Sequence, residues 1–367
     1  MAAVGHSSAQ AVGLSEARDI LAQATSRMLR DLADPQALAT APDAAWRAPL
    51  WSALEHAGLT RAWVPEALNG AGAGIAEGFE VLRIAGAFAV AVPLAETLLA
   101  GWLLSQAGLR VPQGMLSVAP VRAADRIRLN ADGTLSGRAG AVPFARDAAQ
   151  IAILAQGEKG AVVALIERAH CALEHGTSIA GEPRDNLVLE RAAPIALAAT
   201  PAGFGEDALL CMGAAVRATQ MSGALQAILE RSVAYANERV AFERPISKFQ
   251  AIQHNLARLA GESAAALAAA GSAADAIAGA DGFDEAVLLE LASAKIRVGE
   301  AAGEGAATAH QVHGAIGFSG EHALHRYTQR LWAWRDDFGG ESAWAVRLGQ
   351  MVAAKGADAL WPMLAER

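Results

Sequence analysis

From Leu209 to Val240 the chain runs without a proline, and its apolar residues recur at helical spacing until Pro245 ends the pattern. A second periodic stretch runs from about Phe249 to Ile277, Gly279 to Gly282 supply a turn, and a third helix starts near Asp284 and continues past Gly305. Long helices joined by short turns make an antiparallel bundle, and the many alanines let the helices approach closely. The C-terminal part is therefore expected to be a four-helix-bundle domain.

The rest of the chain divides into two different textures. Residues 14 to about 108 read as helical: Ala17-Arg18-Asp19-Ile20-Leu21 opens a periodic stretch, Trp51, Leu54 and Leu59 continue it, and Val64-Pro65-Glu66 breaks it. Between about 111 and 200 the pattern is short and strand-like. Arg126 to Leu129, Thr134-Leu135, Ile151 to Leu154, Ala161 to Ile166 and Asn186 to Leu189 are separated by turn residues such as Ala131-Asp132-Gly133. The expected fold class is α+β, mainly α. It has an N-terminal helical domain over 1–110, a small middle β domain over 111–204 and the C-terminal bundle over 205–367.

Composition narrows the function classes. A chain of 367 residues, 53% of them hydrophobic, can bury a large core over two or three domains. A net charge of −8 with both signs interspersed argues against a nucleic-acid partner. The two cysteines, Cys171 and Cys211, lie far apart, which excludes a disulfide framework and suits the reducing cytoplasm. Met1 to Val12 has no basic segment followed by an apolar run, so no signal peptide is expected. The best membrane candidate, Ile84 to Leu104, is interrupted by Pro93 and Glu96 and reads as a buried helix.

Three motifs carry chemistry. The cluster Gly70/Gly72/Gly74 lacks the third glycine of a dinucleotide-binding turn, because Ile75 and Glu77 occupy the positions three on; a tight interhelical loop explains it better. Tyr235 to Gln250 places Arg239 at a helix end, three residues before Phe242, with Phe249-Gln250 opening the next helix. Such an arginine can grip a phosphate bidentately, and Gln250 can reach the same anion; the plainer reading is a surface arginine at a turn. Gln311 to Phe318 sets Gly314 and Gly317 three apart after a helix, allowing close backbone approach to a ligand or to another helix. The pairs His310/His313 and His322/His325 lack an acidic or thiol third ligand, so no metal is expected. Trp332, Trp334 and Trp344 near Arg330 and Arg335 read as packing aromatics, with cation–π stacking as the sharper alternative.

Together the second and third motifs resemble the C-terminal bundle of acyl-CoA dehydrogenases. That family pattern is an Arg-x-x-Phe-Gly turn, then Phe-Gln-x-x-Gln, then Gln-x-x-Gly-Gly-x-Gly-Phe/Tyr. Here it is matched by Arg239, Phe242, Phe249-Gln250, Gln253, Gln311, Gly314, Gly317 and Phe318. Trp51 to Leu59, Val64 to Glu66 and the Asn69 to Gly74 loop look like the family's first helical domain. The resemblance implies α,β-desaturation of an acyl-CoA thioester: a glutamate base takes the α-proton, hydride passes to FAD, and an electron-transfer flavoprotein accepts the electrons. It implies that FAD lies between the β domain and the bundle, near a partner in a dimer or tetramer. Arg239 and Phe242 would contact its pyrophosphate–adenine end, usually the neighbour's, and Gln250, Gln311 and Gly314 would line the same site.

The sequence departs from the family where the chemistry sits. Glu243 replaces the glycine after Phe242, and an acid beside a pyrophosphate weakens binding. Ala315 replaces the second glycine after Gln311. The base has two family positions. One, in a Glu-Gly-Thr-like turn, falls on Gly340, with Glu341 one residue late. The other, about 26 residues or roughly seven helical turns before the motif arginine, falls on Gly213. Glu341 is the remaining base candidate if Gly339-Gly340 shift it; otherwise it is a solvated loop charge. Leu116 to Asp125 lacks the family's Thr-Glu-Pro-x-x-Gly-Ser-Asp-like segment that holds the flavin ring. Two functions follow from the resemblance: a self-sufficient dehydrogenase, or a non-catalytic subunit of a mixed tetramer that completes the FAD site of a catalytic partner. The second type is known among bacterial relatives of steroid and side-chain degradation.

Overall fold

The computed structural model describes residues 5–41, 43–201, 204–205 and 207–365, with side chains of the first helix described from Arg18 onward. Met1 to Val4, part of the segment read for a signal peptide, lie outside the described residues. The N-terminal helices are α1 (Gly5–Leu32), α2 (Pro35–Ala39), α3 (Arg47–His56), α4 (Ile75–Ala87) and α5 (Leu94–Gln106). Asp34 caps α2 by accepting the N–H of Ala37 at 2.8 Å, and Pro35 follows it at the first helical position. The run Ile84 to Leu104, expected as one buried helix, is instead divided by the non-helical segment 88–93 into the end of α4 and the buried α5, with Pro93 standing immediately before α5. Among the described residues no helix is long and apolar enough to cross a membrane. The glycine loop before α4 is a packing device: a Cβ on Gly70 would overlap the carbonyl of Val64, and among the described residues no strand precedes it.

The middle sheet has eight strands: β1 (Leu116–Ala119), β2 (Arg126–Leu129), β3 (Leu135–Pro143), β4 (Gln150–Gly157), β5 (Gly160–Glu167), β6 (Ala172–Glu174), β7 (Arg184–Ala192) and β8 (Ala196–Ala199). Their order is β6-β7-β3-β2-β4-β5-β8, with β1 parallel to β4 off that path and β2 also parallel to β4. The other pairs are antiparallel. Ile127, Leu135, Ile151, Ile153, Ile166, Leu187 and Leu189 form its own core, while Leu116, Val118, Leu154 and Leu165 face the helical core built around α5.

The C-terminal helices are α6 (Ala208–Glu238), α7 (Gln250–Ala278), α8 (Glu285–His313), α9 (Leu324–Asp336), α10 (Glu341–Lys355) and α11 (Leu360–Ala365). Helices α6, α7 and α8 form an antiparallel trio, and the N-terminal α4 packs along α6 as a fourth helix. The close approach of α4 and α6 is set by glycines: a Cβ on Gly86 would overlap the Gln220 backbone, and one on Gly223 the Arg83 backbone. Asp284 caps α8 by accepting the N–H of Val287 at 2.9 Å, and Gly314, with φ 66°, ends it. The molecule is thus mainly helical α+β, with N-terminal helices, a middle sheet and a C-terminal helical domain.

Candidate functional site

The antiparallel course of α6, α7 and α8 brings the end of α6, the start of α7 and the end of α8 to one end of the bundle. Arg239, Phe242, Gln250, Gln311 and Gly314 all sit there, and all are exposed. Arg239 closes α6, its N–H bonded to the Tyr235 carbonyl at 2.8 Å, and its own carbonyl receives the N–H of Ile246 at 2.8 Å. Between them Val240–Ala241 (β9) pairs with Arg244–Pro245 (β10). The two turn residues, Phe242 and Glu243, have φ of 50° and 66°, as a tight hairpin of this kind requires. The turn holds the Phe242 ring 89% exposed, edge-on to Phe249 at 6.2 Å, and the Arg244 guanidinium lies 4.2 Å over the Phe249 ring. Gln250 opens α7, whose N-terminus has no side-chain cap.

These features fit the far end of a dinucleotide. Arg239 makes no ion pair among the described residues, the uncapped amides of α7 favour an anion, and Phe242 offers an open ring. Every one of these groups is exposed.

The seam between sheet and bundle is of a different kind. Arg217, in the middle of α6, donates to Glu96 of α5 at 2.5 Å, to Asp337 at 3.0 Å and to Gln220 at 2.6 Å. Arg184 of β7 pairs with the same Asp337, and burial beside Arg217 pulls its guanidinium down to about 10. Arg330 pairs with Glu182 at 2.8 Å. The space left among Pro143, Phe144, Arg184, Arg217, Trp334 and Asp337 is about 10 Å³, too little for anything larger than a water. The only hydroxyl of Leu116 to Asp125, Ser117, donates to the Pro143 carbonyl at 2.7 Å, and Asp125 accepts the N–H of Gly140 at 3.1 Å. A flavin ring does not fit this seam.

The two glycines at the family's base positions are also explained. A Cβ on Gly213 would overlap the ring of Phe338, which packs against α6 at this point. Gly340 precedes α10, and Glu341 is the first residue of that helix. The Glu341 carboxylate receives the Nε of Arg335 at 2.6 Å and covers Gly299 of α8. Beside it the fully buried Lys295 donates to the Arg335 carbonyl at 2.5 Å, and burial brings its ammonium down to about 7. Gly299 lies about 22 Å along α8 from Gly314 at 1.5 Å per residue, so Glu341 and the exposed cluster are not brought together within this chain.

Two cavities flank the Asp207–Arg347 ion pair. One, of about 390 Å³, is lined by Trp102, Phe204, Ile277 and Phe283; the other, of about 370 Å³, by Arg122, Arg126 and Gln156. Neither reaches Gly213 or Glu341. Among the described residues no group of three or more His, Cys, Asp or Glu could hold a metal ion, and Cys171 and Cys211 are both free thiols. Trp334 and Trp344 are buried, under the guanidinium groups of Arg217 and Arg347 rather than those of Arg330 and Arg335.

Sequence reasoning missed Glu96, Arg217 and Asp337 as a unit. A signal was present: Glu96 is the only charged residue of α5, and Arg217 is the only one between Ala208 and Ile228 of α6. Lone charges of opposite sign on two buried helices need each other.

The family model for the acyl-CoA dehydrogenase C-terminal domain matches residues 207–335. Over 321 residues the chain is 27% identical to acyl-CoA dehydrogenase IpdE2 of Mycolicibacterium smegmatis, covering 86% of this chain and 93% of that protein. The chain is thus similar to acyl-CoA dehydrogenases over most of its length, and its C-terminal part matches that family's C-terminal domain. It shares its fold with the ChsE4-ChsE5 complex of Mycobacterium tuberculosis, with a TM-score of 0.81, 24% identity and coverage of 93% and 98% of the two chains. It is likewise similar to the Tcur3481-Tcur3483 steroid ACAD, with a TM-score of 0.80, 25% identity and coverage of 93% and 99%. The acyl-CoA dehydrogenase family is FAD-dependent; in this chain the seam between sheet and bundle is filled by Arg184, Arg217, Trp334 and Asp337.

Proposed function

We propose that this chain is the non-catalytic subunit of a mixed acyl-CoA dehydrogenase, in which Arg239, Phe242, Gln250, Gln311 and Gly314 complete the FAD site of a catalytic partner. The observation that carries this is the Phe338 ring packed on Gly213, which leaves neither an acid nor room for one where the family's base would sit. The ion cluster of Glu96, Arg184, Arg217 and Asp337 supports it by filling the seam a flavin ring would need. Pairs of different chains among the similar structures favour the same reading. The acyl-CoA substrate, the α-proton abstraction and the electron-transfer flavoprotein then belong to the partner, and this chain contributes binding and orientation at the adenine end.

The alternative, α,β-desaturation by this chain with Glu341 as base, draws on Gly339 (φ 95°) and Gly340, which give the preceding turn freedom to move. A visible absorption spectrum separates the two. The chain purified alone is expected to be colourless and inactive, and a complex isolated with it yellow; Arg239→Ala is expected to strip flavin from the complex. A yellow, active homo-oligomer would overturn the proposal.

A further inference from the structure

Beside the exposed end of the bundle lies a group of rings, His313 buried and Tyr235 and His322 half-buried, that the proposed function does not use. His313, in the last turn of α8, stacks on Tyr235 near the end of α6, with ring centroids 4.5 Å apart and planes at 21°. His322, from the segment before α9, lies 4.7 Å from His313 and stands edge-on to Tyr235 at 6.1 Å and 75°. His313 Nδ1 donates to the Ala309 carbonyl at 2.8 Å, and its Nε2 is buried with no hydrogen-bond partner among the described residues. His322 Nδ1 accepts the N–H of Leu324 at 3.1 Å, so that nitrogen carries a lone pair.

We propose that the Tyr235–His313–His322 stack is the positioning element of the flavin-completing surface, tying the end of α6 to the end of α8 while its rings are uncharged. Arg239 follows Tyr235 by one helical turn and Gly314 follows His313 directly, so whatever separates these rings displaces the arginine from Gln311 and Gly314. The inference rests on the reading of that surface given above.

The electrostatics agree with the geometry. His322 is faced by His313 of α8, Arg231 of α6 and His325 of α9, and His313 by His310; none of the groups acting on either ring is a carboxylate. Burial, followed by these cations, pushes His322 down to about 4, and burial holds His313 below its ordinary value of 6.5. Both folded values lie below the unfolded one. The stack's contribution is therefore complete above about pH 6.5 and is lost as the pH falls from there toward 4. Each pH unit inside that window weakens the closed arrangement by about tenfold through His322, with His313 acting in the same direction.

The test uses the complex isolated through a tag on this chain, reading FAD retained after gel filtration at about pH 7.5 and about pH 5.5. The wild-type complex is expected to retain about tenfold less at the lower pH. His313→Phe with His322→Asn keeps an uncharged ring against Tyr235 and an acceptor for the Leu324 N–H, and is expected to remove that difference. Tyr235→Ala is expected to lose flavin at both pH values with helical content unchanged by circular dichroism. The inference is overturned if the double variant keeps the wild-type pH dependence, or if Tyr235→Ala retains flavin. A histidine NMR titration of the folded wild-type chain gives a second check: ordinary values near 6.5 for both rings would also sink it. If the chain alone proves yellow and active, the subunit role fails while the flavin-retention test still reads, because it measures binding and not turnover.

Discussion

Glu243 sits at φ 66°, a backbone region that costs an L-residue roughly 1–2 kcal/mol. The family pattern has glycine after the phenylalanine, and the hairpin turn supplies the reason. Glu243→Gly is expected to raise stability by about 1 kcal/mol in urea unfolding and to tighten flavin retention by the complex, since it removes both the strain and an acid beside Arg239. Gly213→Glu should do the opposite. Its side chain must displace the Phe338 ring, so a loss of roughly 1–3 kcal/mol is expected from overpacking, with no gain of acyl-CoA oxidation by the chain alone. At this scale the exposed cluster was legible because its residues lie at helix ends, where motif spacing translates directly into position. Phe338 was not: it reaches Gly213 across a contact remote in sequence, and no local pattern announces such a contact.

Helices α6, α7 and α8 were readable from apolar period and from proline and glycine stops, and their observed bounds fall within a few residues of the expected ones. The sheet was harder. Strand β3 extends through Ser136, Gly137 and Gly140, poor strand formers held by pairing with β7, and β6 and β8 are too short and alanine-rich to stand out. Glu341, a base candidate from the resemblance, is no loop charge: it opens α10, where its carboxylate complements the helix N-terminus and pairs with Arg335. Glu341→Gln is therefore expected to cost no more than about 1 kcal/mol by thermal unfolding, because the pair is partly exposed, and to leave the turnover of a native complex unchanged. Loss of turnover with unchanged flavin content would return Glu341 to the role of base.

Across the whole molecule, Glu96, Arg217, Asp337 and Arg184 join the N-terminal helices, the bundle and the sheet at one buried point. Arg217→Ala leaves two buried carboxylates short of a partner, and a loss of about 3–5 kcal/mol is expected in urea unfolding. If the three parts are coupled there, the sheet and the helices should also cease to unfold together, which differing midpoints from sheet and helix probes would reveal. The order helical, β, helical was plain in the sequence, whereas this junction was hidden because each of its charges belongs to a different part of the chain. The ring over Gly213 bears on descent as well as on chemistry. If an ancestor carried its acid at this position, the exchange for glycine followed by the filling of the gap by Phe338 would not reverse in one step. Restoring the acid first meets the ring, and removing the ring first opens a hole, so each single reversion loses stability before any activity reappears.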